Sequence, residues 1–209
     1  MNTYRIIKHI IEPIIAFVLL IVLSPLFLII SIFIKIDSEG PVIFKQKRLG
    51  HNKKIFRLYK FRTMIEGAEK LKEKYKHLNF ADGPVFKIKD DPRYTRIGKM
   101  LAKMSLDELP QLINILKGEM HFVGFRPPTP GEVSQYQKWH LNRFEGYPGL
   151  TSIWAVSGMH KNRFDDWIRM DFVYDRKESL FMDLRILFKT GWAVFDGLKR
   201  VIFGEEEDK

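Results

Sequence analysis

From Ile14 to Ile34 the chain carries no ionisable side chain, and this constrains it more than any other feature. About 21 residues rising about 1.5 Å each reach roughly 31 Å as a straight helix, enough to cross the hydrocarbon core of a bilayer. The stretch is longer than the apolar region of a secretory signal, and no small-x-small cleavage pattern follows it, so it reads as a retained membrane element. Ser24-Pro25 falls near its middle. Proline removes a backbone donor and crowds the preceding turn, so a bend is expected there, with the Ser24 hydroxyl available to a freed carbonyl. Pro13 is read as marking the entrance.

Both flanks of the stretch are basic: Arg5 and Lys8 precede it, and Lys45, Lys47, Arg48, Lys53, Lys54, Arg57, Lys60 and Arg62 follow it. Basic flanks favour the cytoplasm. A kinked spanning helix and a re-entrant hairpin with both ends on one side stay open on the residues alone. The net charge of +10 is thus concentrated beside the apolar stretch, as a solvated face or as a surface for anionic headgroups. Glu205 to Asp208 form a short acidic tail. With 209 residues, 45% hydrophobic, the chain can support one compact domain and an anchor. The absence of cysteine excludes disulfides and thiolate metal sites and suits a reducing compartment.

Beyond Gly40-Pro41, Val42–Phe44 and Ile55–Tyr59 read as strands of a hairpin turning at Gly50, His51 and Asn52. Glu66 to His77 reads as a charged helix, broken at Asp82-Gly83-Pro84, and Asp90-Asp91-Pro92-Arg93 as a turn. In Ser105 to Leu116, the residues Leu109, Leu112, Ile113 and Leu116 have the spacing of one buried helix face, closed by Lys117-Gly118. Ser105 and Glu108 match a capping box, and Pro110 is tolerated only near a helix start. Near the C-terminus, Leu180, Leu184, Leu187, Phe188, Phe195, Leu198 and Ile202 recur at helical spacing, with Lys189, Lys199 and Arg200 beside them. Such a stripe packs into a core or lies in a membrane interface. No repeat, low-complexity linker or second-domain boundary is present.

Asp107 and Glu108 therefore lie at or just before a helix start. Adjacent side chains diverge from a helix, so two separate roles suit them better than a shared proton. The helix terminus is expected to keep a carboxylate ionised and to attract phosphate oxygens. An ionised Asp107 could attack phosphorus while Glu108 holds a hard divalent cation. As a lone dipeptide, Asp-Glu at a helix start more commonly serves as a cap.

Several segments in order change that balance. Ser24-Pro25, Lys60-Phe61-Arg62-Thr63-Met64, Ser105 to Gln111, Gly118 to Arg126-Pro127, Tyr147-Pro148-Gly149-Leu150-Thr151, Trp154, Asp171, Tyr174, Ser179, Asp183 and Thr190 together resemble the bacterial sugar transferase family, the monotopic phosphoglycosyl transferases. The resemblance implies an α+β, mostly helical fold. It comprises a re-entrant membrane helix over 1–37 broken at Ser24 and Pro25, a catalytic domain over 38–204 with a small hairpin and interfacial amphipathic helices, and the tail 205–209. It implies that Asp107 displaces UMP from a UDP-sugar to form a phosphosugar-enzyme, with Glu108 as the Mg²⁺ ligand. Polyprenyl phosphate, of the undecaprenyl type, then accepts the sugar phosphate at the cytoplasmic face of the bacterial inner membrane, initiating capsule, exopolysaccharide or glycoprotein glycan assembly. Membrane lipids are the expected surroundings, and a homodimer is compatible with the pattern.

Arg62, Arg93, Lys103 and Arg126 are the candidates for charge stabilisation around the phosphates, each equally able to pair with Asp or Glu instead. The chain departs from the family pattern at Ala102, where an arginine is usual, and at Phe125, Ser152 and Met159. Lys103 compensates only in part because it lacks a planar fork, and Lys161 or Arg163 could supply the charge absent at Met159. The Trp154 to Gly158 region loosely resembles members that use hexoses such as glucose or galactose. Two other functions compete: a membrane-anchored basic binding module, for which no nucleic-acid recognition motif is present, and a catalytically impaired scaffold of the same fold.

Overall fold

A computed structural model describes residues 3–157 and 163–203. Helix α1 (Thr3–Val22) runs straight through Pro13 and breaks only at Leu23, where α2 (Ser24–Asp37) departs at 62°. Pro25 sits in the first turn of α2, where its missing N–H costs nothing. The Ser24 hydroxyl donates to the carbonyl of Ile21 at 2.7 Å, as expected from its place at the break. Ten helical residues precede Pro13, and they carry Lys8 and Glu12 buried against the protein, so α1 begins well before the stretch free of ionisable side chains. Among the described residues no single helix is long and apolar enough to cross a membrane, and only this bent pair has the composition for it.

Strands β1 (Ile43–Leu49) and β2 (Ile55–Phe61) form the expected antiparallel hairpin, with Lys45 opposite Tyr59 and Leu49 opposite Ile55. The strands are longer than the alternation suggested. Helix α3 (Arg96–Lys103) starts at Thr95, whose side chain accepts from the Gly98 N–H at 3.0 Å. Gly98 is required by close approach, since a Cβ there would lie 2.0 Å from the Thr63 carbonyl oxygen. A 3₁₀ turn over Leu106–Gln111 runs directly into α4 (Leu112–Leu116), and Gly118, at φ 70°, ends it. Strand β3 (His121–Val123) pairs in parallel with β4 (Gly149–Thr151), and α5 (Pro130–Val133) lies in the crossover between them. Helices α6 (Phe164–Lys177) and α7 (Leu180–Phe203) complete the described chain. The fold is α+β and predominantly helical.

Three local expectations fail, each for a physical reason. Glu66–His77 forms successive turns with mostly i→i+3 bonds, ending in a 3₁₀ turn at Lys76–Leu78. Lys70 and Lys74, and Lys72 and Lys76, would repel at i,i+4 in a helix, and the apolar residues are only Ala68, Leu71 and Tyr75. Ser105 does not cap the following turn: it takes a left-handed conformation (φ 55°) that closes α3, with no side-chain bond to the N–H groups ahead. The buried face of the next segment is Asp107, Pro110, Gln111, Leu112, Asn114 and Ile115, whereas Leu116 is exposed. Tighter 3₁₀ winding in its first half rotates the stripe away from the 3.6-residue expectation.

The principal core joins Ala16 of α1, Phe56 and Leu58 of β2, Leu112 and Ile115 of α4, Phe122 of β3 and Ile186 of α7. A second cluster joins Ile30 and Ile34 of α2 to Phe61 and Leu101. Outside these contacts the two N-terminal helices and α7 leave much apolar surface bare, including Ile14, Phe17, Ile21, Leu28, Phe181, Phe188, Trp192 and Phe203. The α7 stripe is therefore largely not core: Leu180, Leu184, Phe188, Phe195 and Leu198 are exposed, while Ile186 and Leu187 face inward. Bare apolar surface on this scale marks a protein or membrane contact.

Besides the apolar contacts of Ala16, Leu19 and Leu20, α1 is bound to the rest by buried polar contacts. Lys8, 4% exposed, donates to the Val123 carbonyl at 2.9 Å, to Tyr174 Oη at 2.7 Å and to Asp183 Oδ2 at 2.7 Å. Glu12 accepts from the Phe122 N–H at 3.0 Å and meets His121 Nδ1 at 2.6 Å. Removing one partner of a buried ion pair strands the other, at a cost of about 3–5 kcal/mol. Lys8→Met is expected to lower unfolding free energy by that amount, read from chemical denaturation in detergent. A loss below about 1 kcal/mol would mean that the pair is energetically neutral.

Candidate active site

Asp107 is 8% exposed, pressed against β2 by the 3₁₀ turn that carries it. The neighbouring strand supplies its counter-charge: Lys60 Nζ lies 3.3 Å from Asp107 Oδ2 and 2.5 Å from Glu108 Oε1. Lys60 thus bridges the two carboxylates, which meet at one ammonium. Burial works against the lysine's charge, but Asp107 and then Glu108 outweigh it and hold Lys60 above its usual range. Burial pushes Asp107 the other way, above the usual carboxylate range, with Lys60 opposing and Glu108 adding to the shift. The turn's backbone N–H favours the charged form of Asp107 as expected, and Lys60 is the larger favourable contribution, set against burial. Among the described residues no group of three or more His, Asp or Glu side chains is arranged to hold a metal.

A second cationic group lies on the loop after β3. Arg126 donates from both terminal nitrogens to Glu132 at 3.3 Å, and Arg48 of β1 lies 3.7 Å from the same carboxylate. Arg48 also donates to the Pro127 carbonyl at 2.9 Å. Arg48 is pushed down to about 10, by burial first and by neighbouring Arg126 second, while Glu132 and Glu108 pull it back. One carboxylate shared between two guanidiniums leaves net positive charge, with Arg126 the more exposed of the pair.

The remaining candidates fall elsewhere. Arg62 is buried and caps the end of α2, donating to the carbonyls of Ser38 at 2.7 Å, Ile34 at 3.4 Å and Glu39. Arg93 is held by Asp91, Nε to Oδ1 at 2.9 Å and Nη2 to Oδ2 at 2.5 Å, and donates to the Ala68 carbonyl. Both side chains are engaged in architecture. Lys103 and Arg163 are exposed, Arg163 at the start of α6. Lys161 and Met159 lie outside the described residues. Phe125 fills a small core against Phe144, with rings 5.7 Å apart and perpendicular, and Ser152 is buried with its Oγ accepting from the Ala155 N–H.

Sequence reasoning missed Lys60 and Arg48 as site residues. Lys60 stood inside the Lys60 to Met64 segment, but nothing in strand alternation says which lysine meets a carboxylate 47 residues away. Several segments that carried the resemblance prove architectural. Asp171 pairs with Arg143 at 2.6 Å, Asp183 with Lys8 and Tyr174, and Thr151 with Thr190 at 2.8 Å. Asp171 is nevertheless pushed up to about 6 by burial, which Arg143 only partly opposes.

Fold and site together define a class: a compact α+β domain mounted on a broken apolar helix pair, with a lysine-bridged carboxylate pair beside an arginine pair. The chain belongs to the bacterial sugar transferase family, whose profile matches residues 3–197. It is 40% identical to the exopolysaccharide production protein ExoY of Rhizobium meliloti, over 86% of this chain and 81% of that protein. It is 43% identical to the galactosyl transferase CpsE of Streptococcus agalactiae, over 72% of this chain and 34% of the relative. It is 36% identical to the undecaprenyl-phosphate galactose phosphotransferase of Salmonella typhimurium, over 91% of this chain and 40% of the relative. The chain thus spans most of ExoY but well under half of the other two.

The Glu132 cluster makes a pH prediction. Burial raises its carboxyl, but Arg126, Arg48 and the Thr129 N–H outweigh burial and hold it below the usual value. A carboxyl lowered on folding contributes stability above its unfolded value near 4.5, lost as pH falls through the lower folded value. The stability difference between wild type and Glu132→Gln is therefore expected to shrink as pH is taken from 6 toward 3, measured by denaturant unfolding. A pH-independent difference would contradict the assignment.

Proposed function

We propose that this chain transfers a sugar phosphate from a UDP-sugar to a polyprenyl phosphate of the undecaprenyl type through an Asp107-bound phosphosugar, at the cytoplasmic face of a bacterial inner membrane. The observation that carries this reading is the Lys60 bridge, which sets a cation against a buried carboxylate and a more exposed one on consecutive residues. Asp107 suits the nucleophile because its buried side chain is held in place. Glu108 suits the outer role because its side chain is 36% exposed.

In the first step an Asp107 carboxylate oxygen attacks the β-phosphorus. The bond from that phosphorus to the bridging oxygen breaks, and UMP leaves with the electron pair. In the second, an acceptor phosphate oxygen attacks the phosphosugar phosphorus, the bond to Asp107 breaks, and the carboxylate is regenerated beside a polyprenyl diphosphate sugar. Lys60 offsets the charge of Asp107 between steps, and Arg126 with Arg48 offers positive charge to the diphosphate. Two carboxylates fit Mg²⁺, which commonly takes one or two protein carboxylates and fills its shell with water and substrate phosphate oxygens. Glu108, with Asp107 beside it, would hold the ion, which when bound supplies charge neutralisation on the diphosphate.

The membrane part of the reading is supported by the bare apolar surfaces of α1, α2 and α7 and by the 62° bend, which suits re-entry with both ends on one side. Relatives are named for different sugars, galactose in Salmonella typhimurium and glucose in Komagataeibacter xylinus. The donor is accordingly assigned only as a UDP-sugar.

The test is UMP release and lipid product formation by detergent-solubilised protein given UDP-sugars, Mg²⁺ and a polyprenyl phosphate. Asp107→Asn is expected to abolish both, together with the phosphosugar adduct on residue 107 seen by mass spectrometry when acceptor is withheld. Lys60→Ala is expected to lower kcat by about a hundredfold, the scale of one lost charge-assisted contact in a reaction centre. Turnover by Asp107→Asn would exclude the covalent route, and failure across a broad donor panel would favour a scaffold. Salt-dependent nucleic-acid binding unaffected by Asp107→Asn would favour the binding module.

A further inference from the structure

The two-stranded hairpin leaves the outer edge of β2 without a third strand, and at one point that edge is buried. Buried backbone groups require partners. There Asn114 of α4, fully buried, takes the place of a strand: its Oδ1 accepts from the Tyr59 N–H at 3.1 Å and its Nδ2 donates to the Arg57 carbonyl at 2.7 Å. The same amide nitrogen donates to Glu119 Oε2 at 2.7 Å, which fixes which way the carboxamide faces.

This placement closes a short loop of structure around the reacting groups. Asn114 follows Glu108 along one helical run, and Tyr59 precedes Lys60 directly. The apolar contacts of Leu58 with α4 are non-directional and would tolerate sliding. A one-residue step would carry the Lys60 ammonium about 3.3 Å along the strand and turn it to the opposite face. We propose that Asn114 is a positioning residue that sets the register of β2 on the carboxylate-bearing helix and thereby places Lys60 between Asp107 and Glu108. This rests on the reading of those three residues as the reaction centre.

Zero-length coupling tests the placement without turnover. A water-soluble carbodiimide joins an amine to a carboxylate in contact as an amide, releasing the urea. Applied to the full chain in detergent, it is expected to yield a Lys60–Glu108 linked peptide by mass spectrometry. The exposed Lys99–Asp90 pair, 2.7 Å apart, serves as internal reference. Asn114→Gln displaces the carboxamide by one methylene, and Asn114→Asp keeps the acceptor but loses the donor. With circular dichroism unchanged and the reference link retained, both variants are expected to give at least about fivefold less Lys60–Glu108 link, given the length of a register step. In the activity assay kcat should fall by about a hundredfold with donor KM little altered, the cost of ångström-scale misplacement. An unchanged link in either folded variant overturns the proposal, as does loss of fold in both, which would make Asn114 a core residue only. Absence of the link in wild type with the reference link present would also overturn it. Turnover by Asp107→Asn, with the link lost in the Asn114 variants, would instead tell against the reading of the centre.

Discussion

A helix that is bare and apolar on one side has to be fastened on the other by something with direction, and here that is the Lys8 ammonium. Apolar contact alone would let α1 rotate or slide, because burial is proportional to area and indifferent to register. Lys8 reaches β3 through the Val123 carbonyl, α6 through Tyr174 and α7 through Asp183, and Glu12 one turn on takes the Phe122 N–H. Those bonds make a membrane-type helix part of a folded domain. They also fix the strand that leads, three residues later, into Arg126.

The proposed reaction centre is assembled by the same economy of directional contacts over a greasy core. Leu58, Leu112 and Ile115 supply cohesion between β2 and α4, while Asn114 and Lys60 supply alignment. The hairpin contributes a cation from each strand, Arg48 and Lys60, and the helical run contributes both carboxylates. No single segment holds the chemistry, so a change of angle between hairpin and helix would disperse it.

Much of the framework was legible in the sequence because it follows from local rules. The break at Ser24-Pro25, the hairpin, the Asp91–Arg93 turn and the stop at Gly118 each depend on one residue's backbone preference or donor count. The misreadings share another cause. Ser105 looked like a cap because its partner spacing was right, but its left-handed conformation is spent on ending α3. The buried face of 106–116 was misplaced because 3₁₀ winding changes the period on which the inference relied. Asp107 and Glu108 were found by position at a helix start and by resemblance. Lys60, which meets both, was found only when the strand and helix were seen together. Arg62 and Arg93 looked like phosphate ligands because charge type is visible in sequence, whereas the carbonyls and the carboxylate that occupy them are not.

The Lys8–Asp183 pair spans 175 positions of sequence. During synthesis the cation therefore emerges well before its carboxylate, so the bent pair of α1 and α2 waits without this fastener until α7 is made. Closing so long a loop costs only slowly more than closing a short one, but it cannot be done before the far end exists. Completion of the fold is thereby tied to the synthesis of α7, and a nascent chain stalled short of residue 183 would leave Lys8 with Glu12, 3.8 Å away on its own helix, in place of Asp183.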